Sequence, residues 1–521
     1  MGLTDTEILD MSGVRIVAGA DGRILDLSEH QEPDPITGWD DLPTVGDGGA
    51  RFRLGDEAEI ALAMQEHCLG LHSVYTAGQF WQYQIARRGW YRLTDAQIVT
   101  WVGTLSGAPV QNGETKDGEQ KTVPLRISAA RAKGVAAMIA ANITHDETRG
   151  SYWAGGKTGQ DRGVAQFRDR TVVVTQTGPG KLAVTVEMPH PRHRVRAQRV
   201  MPCQWGGLPV AGTFSADCPA LYATAFDWWG HHGPGEALDR ITAVLEVLGA
   251  SILGMAPTMS RALMLYGPGG TGKSTLLSLM TQWCKPEAIS SVTPQDMGAN
   301  RFASARLDGA VINMVDDLPA DPIQDAGSWK SAITGGRIDV ERKGQDGYGI
   351  FPECGHIYAG NRLPVAVRAN SGFWRRWLVV EYDRVFSSTS DDRDILGPLL
   401  GEMGQIMGHA IAAFVATGGK GGRGYTEPAC HRAVMGRWEQ VSDSVCAFVA
   451  ECVRPRDPTY HKKDDQKRSE VYDLYKCWAA DSGRRPVSKG EFAQRMKDAG
   501  WTLHKTVGIW RWACAVTLPN D

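Results

Sequence analysis

The chain has 521 residues, of which 42% are hydrophobic and 22% charged, with a formal net charge of −3. This is an ordinary balance for a soluble globular protein with material for about two to four domains. No run of 18 or more apolar residues occurs, so no membrane span and no membrane partner are expected. The opening segment MGLTDTEILDMSG lacks a basic stretch followed by an apolar core, so a cytoplasmic protein is expected. The ten cysteines form no Cys-x-x-Cys pair and no Cys/His cluster at zinc spacing, so they read as reduced thiols.

Residues 1–55 are acidic and rich in Asp, Gly and Pro with little periodicity, which predicts an arm with little packing. Over 56–212, EAEIALAMQEHC reads as an amphipathic helix and FWQYQIARRGWYRL as an aromatic hairpin. TDAQIVTWVGTL comes next as a helix capped near Thr94, LRISAARAKGVAAMIAANITH as a further helix, and RTVVVTQ with KLAVTVEM as paired strands. Together they predict a small α+β N-terminal domain. Residues 213–260 read as a helical lead-in and 261–417 as an α/β core domain. GGKGGRG opens a flexible linker over 418–437. Residues 438–521 have the helix, helix, hairpin order of a winged-helix-like module. Lys489, Arg495, Lys497 and Lys505 lie around its candidate recognition helix and wing, where they would neutralise DNA phosphates.

The chemistry concentrates in the core. An apolar strand runs into Gly267, Pro268, Gly269, Gly270, Thr271, Gly272, Lys273, Ser274 and Thr275, then into a new apolar run. The pattern G-x-x-x-x-G-K-[ST] between strand and helix is that of a phosphate-binding loop, in which backbone N–H groups converge on phosphate oxygens. Lys273 would reach the outer phosphates and Ser274 would ligate Mg²⁺. A nucleoside triphosphate, ATP, is the expected ligand. AVINMVDDLP places two carboxylates at the end of a second apolar strand. Asp316 is suited to hold the metal and Asp317 to orient and deprotonate water. HIYAGN ends in Asn361, placed to hold a lytic water. Arg375 and Arg376 precede the strand WLVVEY and are candidates for a charge-stabilising finger on a neighbouring subunit. Between these motifs, ITGGRIDVERK and YGIFPE read as a hairpin with Arg342, Lys343 and Gly344 at its basic tip, a device for gripping a phosphodiester backbone.

The order of these motifs, from Gly267 to Arg376, resembles that of superfamily 3 helicases, and most of all the poxvirus-type and satellite-phage-type primase-helicase family. The family's K-x-x-x-T-G-G stretch stands here as Lys330, Thr334, Gly335 and Gly336, its N-x-x-P as Asn361 and Pro364, and its F-W-R-R as Phe373 to Arg376. VAQFRDRTVVV, PRHRVRAQRVMPCQW and CPALYATAFDWW are similar to its lead-in. The resemblance implies a modified AAA+ fold with a parallel sheet, forming a homo-hexamer around single-stranded DNA and translocating 3′ to 5′. It implies a sensor role for Asn361, a trans-acting finger at Arg376 before Arg375, and DNA contact at Lys343. The expected function is an ATP-dependent replicative DNA helicase of a phage or mobile element. The alternatives are a loader acting on a host replication protein and an origin-binding initiator that touches double-stranded DNA. Asp161, Asp169 and His190 are scattered and read as surface groups, so no primase activity is expected from residues 1–210.

Overall fold

The computed structural model describes residues 10–11, 14–15, 42–45, 49–69, 72–76, 79–84, 87–116, 119–145, 162–323, 326–341, 347–366, 371–386, 394–455, 465–482 and 486–518. The basic tip at Arg342, Lys343 and Gly344, Asp161, and most of the acidic arm lie outside the described residues.

The N-terminal part is built on an antiparallel meander of Ser73–Thr76, Gln79–Gln84 and Gly89–Leu93. Helices Glu57–Ala63, Asp95–Thr104 and Ala129–Asn142 pack with it. The second helix starts at the expected place: Thr94 and Gln97 cap each other's backbone N–H groups in a reciprocal box. Packing begins earlier than the expected boundary at 55, because Leu42 and Phe52 are buried in the same core as Ile60 and Ile98.

The paired strands Thr171–Gly178 and Lys181–Glu187, joined by Arg162–Gln166, form an antiparallel sheet. The expected domain end at 212 does not separate this sheet from the helices after it. Val172, Val174, Leu182 and Val184 share one apolar core with α1 (Pro219–Trp229) and α2 (Pro234–Leu253). Arg196 pairs with Asp308 at 2.9 Å, and Arg199 donates to the Ala310 carbonyl at 2.9 Å. Both contacts tie the lead-in to the larger sheet of the core.

That larger sheet has five strands, all parallel: β1 (Ala262–Tyr266), β2 (Ile289–Ser290), β3 (Ile312–Val315), β4 (Gly355–Gly360) and β5 (Trp377–Glu381), in the order β2-β3-β4-β1-β5. Its strands are near-continuous apolar runs, as expected when helices cover both faces. The fold is therefore mixed α/β on a parallel sheet. Helix α3 (Lys273–Thr281) comes after β1, and α4 (Met403–Ala416) packs along α2.

The expected linker at 418–437 is instead packed structure. Glu246, fully buried on α2, accepts hydrogen bonds from Arg423 and from the Thr426 backbone N–H and hydroxyl, the last two at 2.6 and 2.9 Å. Helix α5 (Ala429–Ser442) then buries Val434, Met435 and Trp438, an apolar stripe at helical spacing, in the core that contains β5's Trp377 and Val379. Beyond it, helices Ser444–Cys452, Arg468–Asp481 and Lys489–Asp498 close over Phe448, Tyr475, Trp478, Phe492 and Trp512. The hairpin Leu503–Thr506/Ile509–Trp512 completes this unit. Among the described residues no helix is long and apolar enough to cross a membrane.

Two buried histidines give the fold an acid sensitivity. His431 Nδ1 accepts the Val379 N–H at 3.1 Å, and burial lowers its pKa to about 4. Burial lowers that of His356, beside Asn313, to about 3. Below pH 6.5 the unfolded chain binds protons that the folded chain excludes. Their contribution is thus complete above that pH and declines towards pH 4, by about 1.4 kcal/mol per pH unit for each group. His431→Gln, which retains an acceptor for Val379, should flatten the acid limb of a denaturation series; an unchanged slope would remove His431 from the account.

Candidate functional site

β1 ends at Tyr266, and the chain turns sharply through the glycine loop into α3. Gly267 has φ 152, and a Cβ there would lie 1.8 Å from the Tyr382 carbonyl oxygen, so only glycine lets the loop pass the end of β5. Gly272 has φ 92, and a Cβ there would meet the Trp228 indole nitrogen at 2.2 Å. The loop encloses the Lys273 ammonium. Lys273 Nζ donates to the carbonyls of Gly267 and Pro268 at 2.7 and 2.6 Å and to Thr271 Oγ1 at 3.3 Å. Burial lowers the Lys273 pKa from its ordinary value, opposed by the charges of Asp316 and Asp317.

The carboxyl end of β3 carries Asp316 and Asp317, and that of β4 carries Asn361. Ser274 Oγ lies 3.4 Å from Asp316 Oδ1. All of these face one cavity of about 370 Å³, together with Gly269 to Thr275. Its place is where parallel α/β sheets receive ligands. A cation, loop N–H groups and a helix N-terminus suit phosphate oxygens, and the hydroxyl and paired carboxylates suit a hard divalent cation. The residues present fit a magnesium–nucleotide pair, with the cradle kept open by glycines.

Arg375 and Arg376 are not brought to this cavity. The Ala262 N–H donates to the Arg376 carbonyl, so the pair sits at the amino end of β5. The cavity lies at the carboxyl end, a five-residue strand and roughly 16 Å away. Arg376 Nη1 donates to the Gly372 carbonyl, its buried Nε meets no acceptor among the described residues, and burial with the neighbouring Arg375 charge lowers its pKa. In the C-terminal unit Lys489, Lys497 and Lys505 are exposed. Arg495 is engaged internally, 3.1 Å from Asp443 and 2.6 Å from Glu491.

Sequence reasoning missed the far wall of the cavity, made by Thr224, Asp227 and Trp228 of α1 with Phe386 and Ile395. Phe386 is tied to the loop by its N–H to the Gly270 carbonyl at 2.9 Å, and Arg384 donates to the Asp227 carbonyl at 2.7 Å. The only cue in the sequence is the adjacent tryptophan pair at the end of the lead-in.

A family described as being of unknown function (DUF5906) matches residues 265–376, from within β1 to the arginine pair. No curated protein matches the chain. Among solved structures, the chain is similar to the apo C-terminal region of NrS-1 (305–718), at 14% identity over 60% of this chain and 78% of that one, with a TM-score of 0.34. The A form of that region gives 14% identity, 64% and 80% coverage and a TM-score of 0.33. At these scores the likeness decides nothing about chemistry.

Gly267→Ala should destabilise the fold by about 3 kcal/mol, from steric overlap with the Tyr382 carbonyl together with backbone strain. Chemical denaturation measures this, and a loss under about 0.5 kcal/mol, within the range of an ordinary surface substitution, would contradict the described close approach.

Proposed function

We propose that this chain is an ATP-hydrolysing motor of the superfamily 3 helicase type, working on DNA as a ring in the replication of a phage or mobile element. The observation that carries the reading is the convergence of Lys273, Ser274, Asp316, Asp317 and Asn361, from three strand ends, on one cavity beside a glycine loop. In this reading the loop and α3 form the phosphate-binding motif, and the C-terminal helices and hairpin form a winged-helix module.

The roles follow from chemistry. Lys273 exchanges its carbonyl partners for phosphate oxygens, which compensates the buried ammonium better than neutral dipoles do. Ser274 and Asp316 hold Mg²⁺, which supplies charge neutralisation on the outer phosphates when bound. Asp317, beside the metal ligand but free of it, orients a water and accepts its proton, and Asn361 fixes that water through its amide. Arg376, too far from its own cavity, reaches the cavity of the next subunit. Its half-buried guanidinium, incompletely bonded among the described residues, is suited to an acceptor from outside the chain, and Arg375 is the alternative. Lys343 contacts the DNA strand in the channel, with Arg342 and Gly344, while Lys489, Lys497 and Lys505 offer a basic surface to duplex DNA.

Asp317→Asn should keep nucleotide affinity and lower turnover by about 100-fold, since the general base is lost while the metal ligand stays. Equal loss of binding would assign Asp317 to the metal instead. The function is tested by ATP-dependent strand displacement with 3′-tailed and 5′-tailed duplexes. Unwinding of the 3′-tailed substrate that is lost in Arg376→Ala, with nucleotide binding retained, is expected. ATPase indifferent to DNA, without displacement, would contradict the helicase reading and favour a motor acting on protein.

A further inference from the structure

Two adjacent tryptophans end α1, and their indole N–H groups have different fates. Trp229 Nε1 donates to the Glu381 carbonyl at 3.1 Å. Trp228 is 2% exposed, yet among the described residues its Nε1–H meets no acceptor. Buried tryptophan N–H groups usually find a partner. Among the described residues Trp283, Trp377 and Trp512 also lack one, but their N–H groups are sealed from solvent and none of them lines this cavity. Trp228 does line it, with its indole nitrogen against Gly272, one residue before Lys273.

The ring cannot readily turn the donor elsewhere. It packs against Trp229 at a centroid distance of 5.3 Å and against Tyr382 at 5.5 Å. Tyr382 is fully buried, and its carbonyl abuts Gly267. The indole is thus held by the same strand end that shapes the loop. Its N–H joins the loop amides and Lys273 as a donor without any charge of its own.

We propose that Trp228 donates a hydrogen bond to the phosphate chain of the nucleotide bound in this cavity, which makes α1 part of the binding site. The proposal rests on the nucleotide reading above and goes beyond its motifs. It also gives the lead-in a direct means of sensing whether the loop is occupied, because the donor stands on the helix that continues through a short turn into α2.

Trp228→Phe keeps an aromatic ring against Trp229 and Tyr382 and removes the donor together with part of the indole's volume, and the resonance test below isolates the donor. Titration of the full chain with Mg·ADP should give a dissociation constant raised about 10-fold in the variant, the size expected for one hydrogen bond to a charged acceptor. In the ¹⁵N-labelled wild type, inorganic pyrophosphate should shift at least one of the 17 indole N–H resonances, and that resonance should be absent from the variant. Unchanged ADP affinity in a folded variant would overturn the role of Trp228 and leave the nucleotide site standing. Wild-type chain that binds ADP but shows no indole shift with pyrophosphate would overturn it even if the variant does not fold. Failure of wild type to bind ADP at all would overturn the nucleotide reading and this proposal together.

Discussion

The feature on which the rest of the site depends is the Lys273 ammonium, almost buried and held by two backbone carbonyls just beyond the carboxyl end of β1. A cation taken out of water needs compensation, and two neutral carbonyls with a hydroxyl give only part of it. The geometry around it follows from keeping that charge in place. Gly267 lets the loop pass the end of β5, Gly272 lets it pass Trp228, and β1 lies between β4 and β5 so that the loop emerges from a strand paired on both sides. Asp316 and Asp317 add to the balance from the end of β3, which lies beyond β4 in the sheet. The structure has a partly compensated cation with an open cradle beside it, which is the condition for strong anion binding.

The same arrangement joins regions that are distant in sequence. The sheet at 162–187 and helices α1 and α2 share a core with β1 and α3, so the lead-in and the core are packed as one body. Arg240 on α2 donates to the Glu381 carbonyl at 2.7 Å, and Trp229 donates to the same carbonyl, so the carboxyl end of β5 is held from the lead-in side. On the sheet's other face, α5 packs on β5 through Trp438.

Much of the cavity was legible in the sequence because its parts are local. The glycine pattern needs a strand before it and a helix after it, and an acidic pair or an asparagine after a short apolar run marks a strand end; Lys273, Asp316, Asp317 and Asn361 could be named on those grounds. The opposite wall could not. Trp228 and Asp227 reach the loop only through the packing of α1 against β5, which leaves no spacing signature. The packing of the segment after α4 was hidden for a similar reason. GGKGGRG has the composition of a linker, yet the buried carboxylate of Glu246, far back in the chain, holds this segment and its continuation through Arg423 and Thr426. The charge of Arg495 likewise looked available until the fold placed Asp443 and Glu491 beside it.

The central claim is that the glycine loop binds a nucleoside triphosphate through Lys273. Calorimetric titration of the full chain with a non-hydrolysable ATP analogue and Mg²⁺, for wild type and Lys273→Ala, tests it most directly. Saturable binding to the wild-type chain that is abolished in the variant is the predicted result. No binding to wild type, or equal binding to both, would contradict the account.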